Sequence, residues 1–158
     1  MFRMATYKNN HLTDAEAQVT IAMHVMDGDK RVTRFYPVQL EISKVTSLAM
    51  SWTIVHPVSE ESPIYGFSEE DFADRRVELI INIKAFDDHF SNTVQQRSSY
   101  TYRELVVGAK FQPMYERPEG ASLTILELDK INAYERVALP HADEVPELAP
   151  AVPLTAKL

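Results

Sequence analysis

The sequence predicts an all-β protein, an immunoglobulin-like β-sandwich with one or two short helices. About seven short segments alternate apolar and polar side chains with the period of two that half-buried strands require. Glycine, proline and aspartate separate these segments as turn signals. The segments that carry helix start signals are brief. At 158 residues, the chain is long enough to bury a core within one domain.

The clearest strand runs from Asp14 to Met26. Apolar residues occupy alternate positions, at Ala15, Ala17, Val19, Ile21, Met23 and Val25. The segment Asp27–Lys30 predicts a hairpin turn, because Asp and Gly tolerate positive φ. A calcium loop is the alternative, but the EF-hand ligand spacing is missing. The next strand is predicted over Arg31–Ile42, with Pro37 marking a sheet edge or a bulge.

The stretch from Ser47 to Gly66 combines a strand with a rigid corner. A strand is predicted over Ser47–Ile54. Its alternate apolar residues are Leu48, Met50, Trp52 and Ile54. Pro57 and Pro63 then remove backbone donors, and Gly66 permits a turn that other residues resist, so the chain leaves the sheet here.

Two short helices follow this corner. Ser68 caps an acidic helical turn that ends at Asp74. Thr101 and Glu104 form a capping box and Gly108 suits a helix C-terminus, which predicts a two-turn helix between them. Further strands are predicted over Val77–Lys84, Thr93–Tyr100, Lys110–Tyr115 and Ser122–Leu128.

The chain divides into a predicted domain over residues 1–139 and a tail over residues 140–158. The tail holds four of the nine prolines and shows no apolar periodicity. We therefore expect a mostly disordered C-terminal tail.

Composition excludes several classes of protein. The net charge of −7 and pI near 5.2 oppose nucleic acid as a partner, because phosphate binding needs clustered Lys and Arg. The absence of cysteine excludes disulfides and thiolate metal sites. No apolar run of about 20 residues and no signal peptide is present, so we expect this chain neither to span a membrane nor to be exported.

The sequence offers no convincing enzyme motif. Histidines are scattered without ligand spacing, and no phosphate loop or nucleophile elbow is present. The cluster Asp87, Asp88 and His89 is the one candidate, but a catalytic triad needs groups that converge in space. We predict no enzymatic activity, no metal site and no cofactor.

Several motifs occur in the order found in inward-rectifier potassium channels, especially the bacterial members. The most specific motif reads SWTIVHPVSEESPIYG, at the corner described above. The others are RMATYKNNHLTDAEAQV, QQRSSY, ELVVG and ELDKINAYERV. Together they cover residues 2–137. The chain therefore resembles the cytoplasmic C-terminal domain of a prokaryotic inward-rectifier potassium channel.

This resemblance implies a function in ion transport. It implies a homotetramer around an acidic vestibule that continues the potassium pathway, takes part in gating, and lies on the cytoplasmic side of the bacterial inner membrane. The transmembrane pore domain is missing from this chain. Magnesium or polyamines are implied as blockers, and anionic lipid as a partner of the full-length channel, with no lipid-binding residues assigned.

The resemblance also implies the pore-lining residues. Asp14 matches an acidic pore residue of eukaryotic members, and Glu16 shares its polar strand face. A loop over Lys84–His89 matches the constriction around the fourfold axis. Its predicted pore-lining residues are Ala85, Phe86, Asp87, Asp88 and His89. Here Ala85 replaces a common glycine, and Asp87 and Asp88 bring charge where apolar residues are common.

A second interpretation belongs to a different class. A soluble β-sandwich that shares only the fold would bind a protein or small ligand through the loop over Asp87–Asn92.

Overall fold

The computed structural model describes residues 1–6, 11–48, 50–118, 120 and 122–138. Within these residues the chain is mostly β-strand. The strands are β1 (Phe2–Ala5), β2 (Leu12–Asp27), β3 (Lys30–Val38), β4 (Lys44–Leu48), β5 (Ser51–Ile54), β6 (Glu78–Asp87), β7 (Asn92–Thr101), β8 (Ala109–Phe111), β9 (Tyr115–Glu116), β10 (Ile125–Leu126) and β11 (Tyr134–Arg136). The helical elements are α1 (Glu69–Asp74) and the 3₁₀ turns Tyr102–Glu104 and Leu128–Lys130. The predicted all-β fold with short helices is confirmed, the immunoglobulin-like topology stays a prediction, and the predicted tail lies outside the described residues.

A five-stranded antiparallel sheet centres on β2. One edge of β2 pairs with β4 and then β3, while the other edge pairs with β6, which pairs in turn with β7. The predicted turn at Asp27–Lys30 is confirmed, with Gly28 at φ 60°. β3 is an edge strand, as Pro37 predicts. It ends at Val38 rather than Ile42, because the chain has already turned toward β5, whose following residue Val55 accepts a hydrogen bond from the Glu41 amide.

The main core lies between this sheet and the antiparallel β1–β5 pair. Trp52 and Ile54 of β5 are 6% and 2% exposed, and they pack against the inner face of β2 and β6. The inner residues of those two strands are Ala15, Ala17, Val19, Ile81, Ile83 and Ala85. Burying one large aliphatic side chain contributes roughly 1.5–3 kcal/mol, so this face fixes the strand register.

The predicted strand over Ser47–Ile54 is wrong as a single element. β4 ends at Leu48 and pairs with β2, whereas β5 begins at Ser51 and pairs with β1. The chain changes sheets between them. Met50 is therefore 38% exposed, rather than buried with its apolar neighbours.

A second apolar cluster lies under α1 and the proline-containing corner. Ile21, Met23 and Val77 form its buried centre, and side chains from the corner and from α1 cover them. The predicted cap is confirmed, because the Ser68 hydroxyl accepts from the Asp71 amide and the Asp71 carboxylate accepts from the Ser68 amide.

The C-terminal third departs most from the sequence predictions. The capping box of Thr101 and Glu104 forms, but it starts one 3₁₀ turn instead of two α-helical turns. Leu105 is already extended, and after a turn at Gly108 the Gly108 carbonyl accepts from the Val137 amide, next to the β8–β11 ladder. In place of the two strands predicted over Lys110–Tyr115 and Ser122–Leu128, the structure has three shorter strands, β8, β9 and β10.

Candidate functional site

The outer face of the main sheet is polar near the end that holds the β6–β7 connection. Glu16 of β2 lies in register between Lys44 of β4 and Lys84 of β6. The Lys44 Nζ and a Glu16 carboxylate oxygen are 3.3 Å apart. Two neighbouring lysines therefore offset the negative charge of the Glu16 carboxylate. This part of the face is mixed in charge, and the sequence alone does not place Lys44 and Lys84 beside Glu16, because each lies on a different strand.

Asp14 occupies a β-bulge on the same face. The pairing of β2 with β6 shifts between Thr13 and Glu16, so that Asp14 and Ala15 together oppose Ala85. Asp14 has a positive φ of 46° and an exposed side chain, whereas Ala15 is fully buried. Bulges re-aim side chains. Here the bulge lets Asp14 face solvent beside Glu16, and among the described residues Asp14 has no ion-pair partner.

An open depression of about 520 Å³ lies on this face. Four of the predicted site residues, Asp14, Glu16, Ala85 and Phe86, line it. Its other lining residues are Lys44, Val45, Thr46, Lys84 and Thr93. The structure thus gathers residues from four strands into one surface that sequence spacing alone does not bring together.

The predicted loop over Lys84–His89 is wrong in its first part. Lys84 to Asp87 continue strand β6, and only Asp88–Ser91 form the connection to β7, which we name the tip turn. Ala85 is 3% exposed and belongs to the core. Asp87 is 4% exposed. Both side chains are therefore buried within this chain.

The Asp87 carboxylate has a structural contact that explains its burial. One carboxylate oxygen accepts from the His89 amide at 2.9 Å and from the Phe90 amide at 3.2 Å. This arrangement is a side-chain cap of the tip turn. The sequence signal for it is the short spacing between Asp87 and the turn residues.

Asp88 and His89 lie on the tip turn itself. The His89 ring packs edge-on against Phe90, with 4.9 Å between ring centroids, and Phe90 is 68% exposed. Asp88 contacts His11 and Thr13 at the start of β2. His11 is a site residue that sequence analysis did not find, since 77 positions separate it from Asp88.

A second histidine network stabilises the proline-containing corner. The His56 Nδ1 lies 2.6 Å from the Gln39 carbonyl, which only accepts, so Nδ1 carries the hydrogen. The Ser62 hydroxyl lies 2.8 Å from the other ring nitrogen, Nε2, and donates to it in the neutral tautomer. Ser62 is buried, at 8% exposed. These two hydrogen bonds explain why the corner motif contains His56 and Ser62.

The histidines and carboxylates at this end of the sheet are divided among separate contacts. Within the described ranges, no group of three or more His, Asp or Glu side chains is placed to hold a metal ion. The cluster Asp87, Asp88 and His89 does not converge, because Asp87 is buried, Asp88 contacts His11, and His89 packs on Phe90. No helix in the described part of the chain is long and apolar enough to cross a membrane.

These features define an all-β domain with a polar sheet face beside the tip turn. The chain matches the family described as "Inward rectifier potassium channel C-terminal domain" over residues 1–148. It therefore belongs to the inward-rectifier potassium channel family. Members of this family are multimeric channels, and they carry this domain on the cytoplasmic side of the membrane. The chain is accordingly not an enzyme, and the part of the family that it matches is the C-terminal domain.

Individual relatives agree with this assignment. The chain is 25% identical over 122 residues to the inward rectifier potassium channel Kirbac3.1 of Paramagnetospirillum magnetotacticum, covering 76% of this chain and 41% of the relative. It is 23% identical over 125 residues to G protein-activated inward rectifier potassium channel 1 of Bos taurus, and equally to that of Homo sapiens, covering 76% of this chain and 25% of each relative. The chain thus spans well under half the length of these curated relatives.

Proposed function

We propose that this chain is the cytoplasmic domain of a prokaryotic inward-rectifier potassium channel, on the inner side of the bacterial plasma membrane. Four copies surround a vestibule that continues the potassium pathway and takes part in gating. The observation that carries this proposal is the polar sheet face around Asp14 in a chain that belongs to the family. Potassium is then the permeant ion, with no cofactor.

Side-chain exposure supports a choice of pore-facing residues. Asp14, Glu16, Phe86, Asp88 and His89 have accessible side chains near the tip turn, and we propose that they border the pathway. We do not include Ala85 and Asp87 among the proposed pore-facing residues, because their side chains are buried. Anionic lipid stays a proposed partner of the full-length channel, without assigned residues.

Charge gives this arrangement a mechanism. Each chain has a net charge of −7, so four copies carry a formal −28. A passage lined by one sign of charge concentrates cations and favours multivalent blockers such as magnesium and polyamines. Lys44 offsets Glu16 locally. The ring of four Asp14 carboxylates therefore makes the larger local contribution.

Distance and salt screening set how much the four Asp14 carboxylates contribute to blocker affinity. One unit charge about 10 Å from a divalent cation in water contributes about 0.8 kcal/mol, so four contribute about 3 kcal/mol. Screening over one Debye length of about 10 Å reduces this to about 1 kcal/mol, or roughly a five-fold change in blocker affinity. A cyclic tetramer supplies such a ring by symmetry.

The test is a chimera in which this chain replaces the matched part of Kirbac3.1, reconstituted in liposomes for rubidium uptake. We expect uptake, with magnesium or spermine block weakened roughly five-fold by Asp14→Asn. Asp29→Asn is the matched control, since Asp29 is exposed in the β2–β3 turn roughly 40 Å along β2. Equal effects of the two substitutions contradict the role of Asp14.

Light scattering of the 18.0 kDa chain separates this proposal from the soluble-module alternative. A concentration-dependent rise toward four chains supports the vestibule. A chimera that folds and inserts but passes no rubidium, together with a monomeric chain, favours a soluble binding module. The chain matches the family in sequence over residues 1–148. This match disfavours the alternative in which the chain shares only the fold of the family.

A further inference from the structure

Three separate segments meet at the ring of His11. Its Nδ1 lies 2.7 Å from an Asp88 carboxylate oxygen, and its Nε2 lies 3.0 Å from the Ser47 hydroxyl. The other Asp88 oxygen accepts from the Thr13 hydroxyl at 3.3 Å. The Asp88 amide also donates to the His11 carbonyl. The tip turn is therefore tied to the start of β2 and to the end of β4.

The hydrogen-bonding rules fix the proton on one ring nitrogen. The ionised Asp88 carboxylate only accepts, so the His11 Nδ1 carries a hydrogen. In the neutral ring, Nε2 accepts from the Ser47 hydroxyl; in the protonated ring, Nε2 donates to the same oxygen. The neutral and the protonated ring therefore both keep the hydrogen bonds to Asp88 and Ser47. Only the protonated form adds a positive charge that strengthens the bond to Asp88 and offsets its negative charge.

The neighbouring ionisable groups leave Asp88 as the direct partner of His11. The groups on this end of the sheet are Asp14 and Glu16 on β2, Lys44 on β4, Lys84 and Asp87 on β6, and Asp88 and His89 on the tip turn. The Asp87 carboxylate accepts from two amides of the tip turn, and Glu16 pairs with Lys44. His89 packs against Phe90.

We propose that His11 is a positioning residue for the ion pathway, whose ring holds Asp88 and sets the order and net charge of the tip turn according to pH. Histidine is the side chain whose charge changes between about pH 5 and 8. At the acid end, the imidazolium–carboxylate pair orders the tip turn and cancels its charge. At the alkaline end, the turn carries the full charge of Asp88 and moves more freely. The inference rests on the proposed function, in which the tip turn borders the pathway.

Amide hydrogen exchange of the tip turn tests the inference on the isolated chain. After correction for intrinsic exchange, protection of the His89 and Phe90 amides should fall about 1.5- to 5-fold between pH 5 and 8, the range expected for one exposed ion pair. His11→Asn keeps a donor near the Nδ1 position without titrating, so protection should be retained and independent of pH. His11→Ala should lower protection at every pH without abolishing it, because the bonds from these two amides to Asp87 remain.

His89→Asn is the matched control, because it removes a histidine from the same turn without touching Asp88. It should keep the pH dependence of the unmodified chain. A pH dependence that survives in His11→Asn, or disappears in His89→Asn, overturns the inference.

A second readout separates this inference from the proposed function. In the liposome chimera carrying His89→Asn, which leaves no second histidine on the tip turn, magnesium block should strengthen from pH 6 to 8, and adding His11→Asn should remove that change. A chimera that conducts with equal pH profiles in both forms overturns the inference while the proposed function stands. A chimera that does not conduct overturns the proposed function, and the exchange result alone then decides whether His11 holds Asp88.

Discussion

Replacing Asp87 separates two roles that a carboxylate at the end of β6 can have. The structure makes it a buried cap, with one oxygen accepting from the His89 and Phe90 amides. Asp87→Ala removes both bonds. At about 1 kcal/mol net for each hydrogen bond, the free energy of unfolding should fall by about 2 kcal/mol. For a chain of this size, that loss corresponds to a fall in Tm of roughly 4–8 °C.

Asp87→Asn is the matched comparison. Its side-chain oxygen still accepts from the same two amides, so the loss should stay below about 1 kcal/mol. Urea denaturation, followed by tryptophan fluorescence of Trp52, measures both variants. In the chimera, Asp87→Asn should leave magnesium block unchanged, because the carboxylate is 4% exposed. Equal destabilisation by both variants, or a change in block as large as that of Asp14→Asn, would refute the cap.

Core packing, the corner network and helix capping lead to three more expected results. Ile21→Ala should lower the free energy of unfolding by about 2–5 kcal/mol and Ile21→Val by about 0.5–1.5 kcal/mol, and equal losses in urea denaturation contradict the packing. Ser62→Ala should cost about 1 kcal/mol and shift the His56 ring nitrogen resonances in NMR, since the hydroxyl donor is lost; unchanged resonances count against this bond. The Ser68 hydroxyl, followed by the Ser68 amide, lowers the pKa of Asp71, so the stability that ionised Asp71 adds is complete above the unfolded pKa and is lost as pH falls through the lower folded value. An NMR titration should show the Asp71 midpoint rise in Ser68→Ala, and an unmoved midpoint contradicts the cap.

The sequence predicted correctly the elements that depend on residues close together along the chain. The turn at Asp27–Lys30 depends on residues that tolerate positive φ, and the Ser68 cap depends on a side chain three positions from its partner. The alternation along β2 predicted its buried face, because one side of the strand packs on the core. In each case the physical cause lies within a few neighbouring residues, so the sequence shows it directly.

The remaining features depend on contacts between distant segments. The capping box at Thr101 predicted where a helix starts but not its length, which the β8–β11 ladder limits. Met50 follows the apolar alternation, yet it is exposed because the chain changes sheets there. His11 meets Asp88 only because β2 and β6 pair in a particular register. The family resemblance located the tip turn approximately, and the register decided which of its side chains face outward.

The bulge at Asp14 connects this register to the proposed electrostatics. A regular strand that buries Leu12 would also bury position 14, whereas the extra residue allows Leu12 and Ala15 to face the core while Asp14 faces solvent. A non-glycine residue at positive φ costs about 1 kcal/mol or more, although aspartate tolerates it better than most. Among the residues that the structure describes, the polar face thus carries an acid without an ion-pair partner at the least regular point of β2, close to the tip turn that His11 holds. Both proposed contributions to the ion pathway, the Asp14 ring and the Asp88 charge, therefore depend on how the first residues of β2 meet β6.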